Sequence, residues 1–322
     1  MYLLNDALLR PGDIVLTAQD AKVSKAIRRL TGSSFSHAML YVDEGSVIHS
    51  DQQGVHSQNT QRVLFEAPDL AIALRLVKQP DRETIQNICD YARAAIGTQY
   101  SVPEAIASRS RRRSDSGARA NRQFCSRLVA EAYSYAGHPL VSNASYCYPT
   151  DLHNVDLVAH VPNCLRKANK IEIEFAKSPS PIQVQTRVTN TLLESLRSIS
   201  GEDIQNEEQV VACLLRRPEL DSSFTARLEE SGYLDLWRMD VKANPWRYSD
   251  AEFLAAAPPI EIRLREVKSA QESIDRFRGM LHNYQQLHSK LPLRYFEASA
   301  ALYKQLIELH RMRISLMQRA DA

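Results

Sequence analysis

The chain has 322 residues, 44% of them hydrophobic and 24% charged, with a formal net charge of +2. That length accommodates two domains, and the composition is that of an ordinary soluble chain. The near-neutral charge gives no electrostatic reason to expect nucleic acid, and no run approaches the roughly 18 apolar residues of a membrane-spanning helix.

Five cysteines, Cys89, Cys125, Cys147, Cys164 and Cys213, are odd in number and widely spaced. This argues against a disulfide framework and for a reducing compartment. The opening residues, MYLLNDALLRPGD, lack the cationic, apolar and small-residue parts of a signal peptide. Cytoplasmic residence is the expectation, with signal-less secretion left open.

In chain order, residues 13–17 follow Pro11-Gly12 and predict a buried strand. Residues 21–31 predict a short helix with Val23, Ile27 and Leu30 on one face and Gly32 at its end. Strands are expected over 37–42 and 47–50, joined by a turn at Asp43-Glu44-Gly45-Ser46. A further strand is expected over 71–77, then a helix from Pro80-Asp81 to about Ile96, closed by Gly97. Residues 109–122 read as a polar, Arg-rich loop. Residues 124–135 read as a helix with Leu128, Val129, Ala132 and Tyr135 on its inner face, and 171–175 as a last strand-like run.

The first part therefore predicts an α+β domain over residues 1–177. Pro-rich Ser178-Pro-Ser-Pro181 opens a linker over 178–186, and an all-α domain of unknown role follows over 187–322. In that domain Val267, Ala270, Ile274, Phe277, Leu281 and Tyr284 recur three and four apart. Leu291-Pro292-Leu293 breaks the pattern, and Leu302, Leu306, Leu309 and Leu316 resume it. Such a pair predicts a long helical hairpin, its seam either packed within one chain or used for self-association or a protein partner.

Three segments carry chemistry: Phe35-Ser-His-Ala-Met-Leu-Tyr-Val42, Ser46-Val-Ile-His-Ser50 and Gln123-Phe-Cys-Ser-Arg-Leu-Val129. A cysteine opening a helix lies among free backbone N–H groups and at the positive end of the dipole, which favour thiolate and an oxyanion. A histidine at a strand end can serve as its base. A second polar group on the neighbouring strand can fix the tautomer of that base, and His49, twelve positions after His37, is spaced to do so. His56 is a fallback for that place.

These segments resemble the permuted papain-like cysteine hydrolases of the NlpC-type superfamily, YiiX-like branch. The likeness covers about residues 10–165. Pro11-Gly-Asp-Ile-Val15 is similar to the opening strand of that branch and Ser36-His-Ala-Met-Leu-Tyr-Val42 to its histidine strand. Gly97-Thr-Gln-Tyr100, Phe124-Cys-Ser-Arg-Leu-Val129 and Tyr148-Pro-Thr-Asp-Leu152 match its later segments. The resemblance implies Cys125 as nucleophile, His37 as base and His49 as orienting third residue, with Tyr100 and Ser126 in the substrate and oxyanion region. The His37–His49 spacing is also similar to the lecithin:retinol acyltransferase group, although Phe124-Cys-Ser-Arg departs from the Asn-Cys-Glu-His motif of that group.

A bacterial thiol hydrolase of peptide, isopeptide or peptidoglycan amides is therefore expected, acting through a thioester without metal or organic cofactor. The alternatives are a lipid-directed thiol acyltransferase or phospholipase, and a non-catalytic protein that binds through its helical domain. Cys147, His153, His160 and Cys164 match no standard zinc spacing and read as core or surface residues. Arg109, Arg111, Arg112 and Arg113 read as a solvated loop, and Trp237 and Trp246 as core.

Overall fold

The computed structural model describes residues 1–18, 35–43, 45–99, 124–153 and 156–319. The expected helix over 21–31, the Arg-rich loop and Tyr100 lie outside these residues. Contacts divide the chain into two compact units, Met1–Ile182 with Gln205–Glu208, and Gln183–Ile204 with Gln209–Ala322.

The first unit is built on an antiparallel six-stranded sheet. Its strands are β2 (Ile14–Thr17), β3 (His37–Asp43), β4 (Ser46–Asp51), β5 (Gly54–Asn59), β6 (Ala71–Leu76) and β7 (Val158–Val161). They lie in the order β5-β4-β3-β2-β6-β7, and β1 (Tyr2–Leu4) pairs separately with β8 (Leu165–Lys167). Helices α1 (Arg82–Ala94), α2 (Cys125–Tyr135), α3 (Pro149–His153) and α4 (Lys170–Lys177) complete the unit.

Side chains alternate across a strand, so each strand feeds two cores. Ile14, Leu16, Ala38, Leu40, Ile48 and Leu74 pack against Ile88 and Ala92 of α1 and Leu128, Val129 and Ala132 of α2. Val15, Met39, Tyr41, Val47 and Ala73 point the other way, toward Leu4, Phe65, Val161 and Cys164. Burying each large apolar side chain stabilises by about 1.5–3 kcal/mol, which fixes the register because a one-residue slip would exchange the two faces.

The Pro11-Gly12-Asp13 segment ties the layers together. Gly12 has φ +91, open to glycine and strained for other residues. Its carbonyl accepts the Tyr133 hydroxyl of α2. Asp13 is buried and takes a two-pronged ion pair from Arg75, Nε at 2.7 Å and a terminal nitrogen at 2.6 Å.

Residues 171–175 are helical, inside α4, where alternation suggested a strand. Asn169 and Glu172 form a reciprocal capping box at its start. The run is largely exposed, Ile171 at 78%, so no buried face enforces the two-residue period.

The second unit is helical: α5 (Pro181–Ser200) and α6 (Glu207–Arg216), the first two residues of each grouping with the first unit, then α7 (Asp221–Glu230), α8 (Trp237–Ala243), α9 (Asp250–Ala256), α10 (Ile260–Lys290) and α11 (Arg294–Gln318). Helices α10 and α11 form the expected hairpin around Leu291-Pro292-Leu293. Ala270, Ile274 and Tyr284 are buried on the seam, and so are Arg263 and Glu266. Glu266 accepts from Arg313 at 2.5 Å and from Arg247 at 2.9 Å. Asp221 of α7 caps α11 from a distance, its two oxygens each 2.9 Å from the N–H of Arg294 or Tyr295. No helix among the described residues is long and apolar enough to cross a membrane.

Candidate active site at the head of β3

Helix α2 begins at Cys125, with Phe124 extended before it and no side-chain cap. The N–H groups of the first turn are therefore available to the sulfur. Burial pushes the Cys125 thiol up, opposed by the backbone N–H groups of Ala38, Ser126 and Cys125 itself. The Ala38 contact sets the thiol beside the second residue of β3, directly after His37.

Ser126 lies deeper. Its hydroxyl donates to the Cys147 carbonyl at 2.7 Å, and the Cys147 thiol faces the Ser126 carbonyl at 3.3 Å. That pair fastens the start of α2 to the segment after it, and both the backbone N–H and the side chain of Ser126 favour the thiolate of Cys125.

In the register, Met39 lies opposite His49 and His49 opposite His56. His37 is thus diagonal to His49 on the same face, within reach for a long side chain. The rings meet edge to face, with His37 Nε2 2.9 Å from His49 Nδ1. Since Nε2 is taken, Nδ1 is the nitrogen that His37 has left for a second partner. Burial lowers the His37 pKa to about 4, with Asp51 pulling it up and His56 pushing it further down. His49 is also lowered by burial, then by His37 and His56, with the Gln58 amide opposing them. Burial thus favours the uncharged form of the Cys125 thiol and of the His37 imidazole alike.

His56 packs against His49 with ring centroids 4.4 Å apart, and its Nδ1 donates to the Gly54 carbonyl at 3.1 Å. The hydrogen bond to His37 comes from His49, so His56 does not occupy the place for which it was a fallback. Sequence reasoning missed Asp51. It follows His49 by two positions, and that period places it on the same face, beside His37 and His56. His49, Asp51 and His56 bring ligating atoms within 4.8 Å of one another.

The neighbouring motifs hold the site's frame. Gly97 N–H donates to Val55 at 2.9 Å and Val55 N–H to Thr98 at 2.8 Å, pinning this segment along β5. At Gly54, with φ +88, an added Cβ would lie 2.5 Å from the Thr98 carbonyl. Asp151 accepts the Tyr148 N–H at 2.8 Å and so caps α3. The four residues at non-zinc spacing do not gather. Cys147 and Cys164 lie in different cores, while His153 and His160 form an exposed pair with Nε2 atoms 3.1 Å apart.

An antiparallel sheet with a histidine at the head of one strand bonded to a histidine of the next, and a cysteine opening the helix packed on the first, is the arrangement of a permuted papain-like domain. The chain belongs to the C92 family of permuted papain-like amidase enzymes, YaeF/YiiX, whose model matches residues 8–180. A solved structure described as metalloprotein yiiX from Escherichia coli O157:H7 is similar at 17% identity, covering 47% of this chain and 96% of that one, with a TM-score of 0.33. No curated protein matches.

Proposed function

We propose that the first unit is a thiol amidase in which Cys125 is the nucleophile, His37 its general base and His49 the residue that orients the base. The observation that carries this reading is the 2.9 Å bond from His37 Nε2 to His49 Nδ1, at the strand head where the Cys125 sulfur meets the Ala38 N–H. With the pair uncharged at rest, His37 takes the thiol proton as sulfur attacks the amide carbonyl. The oxyanion forms near the N–H groups of the first turn of α2. The imidazolium then protonates the leaving amine, and water, deprotonated by His37, hydrolyses the thioester to a carboxylic acid and free thiol. His49 holds the ring through Nε2 so that Nδ1 keeps its lone pair. Peptide, isopeptide and peptidoglycan amides are the substrate class this chemistry suits.

The test uses an activated acyl ester as a pseudo-substrate, with intact-mass and peptide mapping. A thioester adduct on Cys125 is expected, absent in Cys125→Ala and formed at least about tenfold more slowly in His37→Ala. An adduct on another residue, or one indifferent to His37→Ala, overturns the assignment.

A further inference from the structure

His49 leaves one ring nitrogen over. It is 4% exposed, its Nδ1 is held by His37, and its Nε2 is buried and makes no hydrogen bond among the described residues, although the Gln58 amide stands beside the ring. A buried polar atom left unbonded is costly, and such atoms in native structures often mark a missing ligand. Two further ligating groups face the same space. Asp51 shares the face of His49 on β4, and His56 stands directly opposite His49 on β5. The His56 Nδ1 lies 3.6 Å from Asp51 Oδ1, close to the roughly 3.4 Å between two ligands on one tetrahedral zinc ion.

We propose that His49, Asp51 and His56 form a site for one divalent transition-metal ion of the zinc type, carried on the β4–β5 hairpin. Two imidazoles and a carboxylate are the donor set such ions take, and hard oxygen-seeking cations do not prefer it. The Asp51 side chain is 39% exposed, which gives the ion an entry path and leaves its fourth position to water. Binding through Nδ1 replaces the bond from His56 to the Gly54 carbonyl.

The site has a consequence that rests on the function proposed above. A metal on His49 Nε2 requires the proton of that ring on Nδ1, where it donates to His37 Nε2. His37 then carries its own proton on Nδ1 and has no lone pair for the thiol. Metal occupancy and general-base catalysis by His37 are therefore mutually exclusive, and the ion acts as an off-switch for the thiol.

The experiment is calorimetric titration of the full-length, chelator-stripped Cys125→Ser chain with Zn²⁺, repeated with Co²⁺ to read its visible absorption. One equivalent is expected, weakened at least about tenfold by His56→Ala and by Asp51→Asn, and unchanged by the double variant His153→Ala/His160→Ala. Asp51, partly exposed, provides a variant that keeps the fold if His56→Ala does not. Absence of stoichiometric binding overturns the site, as does binding that survives both substitutions or is lost with the exposed pair. In the wild-type chain, Zn²⁺ is expected to slow alkylation of Cys125 at least about tenfold, an effect absent in Asp51→Asn. If Cys125 proves unreactive even without metal, the proposed function fails while the titration still decides the metal site.

Discussion

Two buried polar clusters, one in each unit, are built on opposite terms. In the helical hairpin Glu266 sits between Arg313 and Arg247, with Glu266 and Arg313 less than a tenth exposed, and opposite charges face each other at hydrogen-bond distance. In the sheet unit three imidazoles crowd together, burial holds two of them toward the neutral form, and one ring nitrogen makes no hydrogen bond among the described residues. The first cluster is closed in charge, although the Nε of Arg247, 2.9 Å from Glu266, makes no hydrogen bond of its own among the described residues. The second is open, and open clusters are where a protein meets something outside itself.

Substitution tests this contrast most directly at the open cluster. Cys125→Ala is expected to remove amidase activity by on the order of 10³-fold or more, and His49→Ala by on the order of 10²-fold, falling on kcat rather than KM. Urea denaturation of Cys125→Ala should move little, whereas His49→Ala also leaves the His37 Nε2 without its partner and should cost about 1–3 kcal/mol. A large loss of stability in Cys125→Ala would recast the site as structural.

The closed cluster should behave in reverse. Glu266→Ala leaves two arginines facing a hole and is expected to cost about 3–5 kcal/mol in denaturant unfolding. Replacing Glu266 and Arg313 together by Met and Leu should recover most of that. If the single substitution were as mild as the double, the cluster would be surface-like in energy despite its burial.

The imidazoles also make stability depend on pH. An unfolded histidine titrates near 6.5 and His37 in the fold near 4, so between those values the unfolded chain binds the extra proton. Stability is full above pH 6.5 and is lost as pH falls toward 4, by about 3 kcal/mol from His37. Metal-free unfolding measured from pH 7 to pH 4 should show this slope, and His37→Gln should flatten it. The smallest effect is expected at Asp221→Ala, which uncaps α11 for about 1–2 kcal/mol in the same assay. Activity should be untouched.

Much of this was legible in the residues. The apolar alternation of β2, β3, β4 and β6 and the capped start of α1 at Asp81 are local patterns that the tertiary fold leaves in place. The spacing of His37 and His49 across a tight turn led to the hydrogen-bonded pair. Strand β5, Gly-Val-His-Ser-Gln-Asn, was not legible. It is an edge strand with a largely polar sequence, and hydrophobic alternation does not report such a strand. With β5 unseen, His56 had no assigned neighbour and Asp51 no partner across the hairpin. In the helical unit, heptad reasoning found Ala270, Ile274 and Tyr284 but not Arg263 or Glu266, since a charged residue enters a seam only when its counterion is supplied from elsewhere in the chain.

The thiols have a consequence for oxidants. All five cysteines are buried and unpaired, and burial raises the pKa of each. Peroxide and disulfide exchange both act through the thiolate, which each of these environments disfavours. On the function proposed above, Cys125 gives up its proton only to His37 during attack, so the uncharged thiol held between turnovers is also kept from sulfenic acid. Burial therefore shields all five sulfurs in surroundings where an exposed, preformed thiolate would soon be spent.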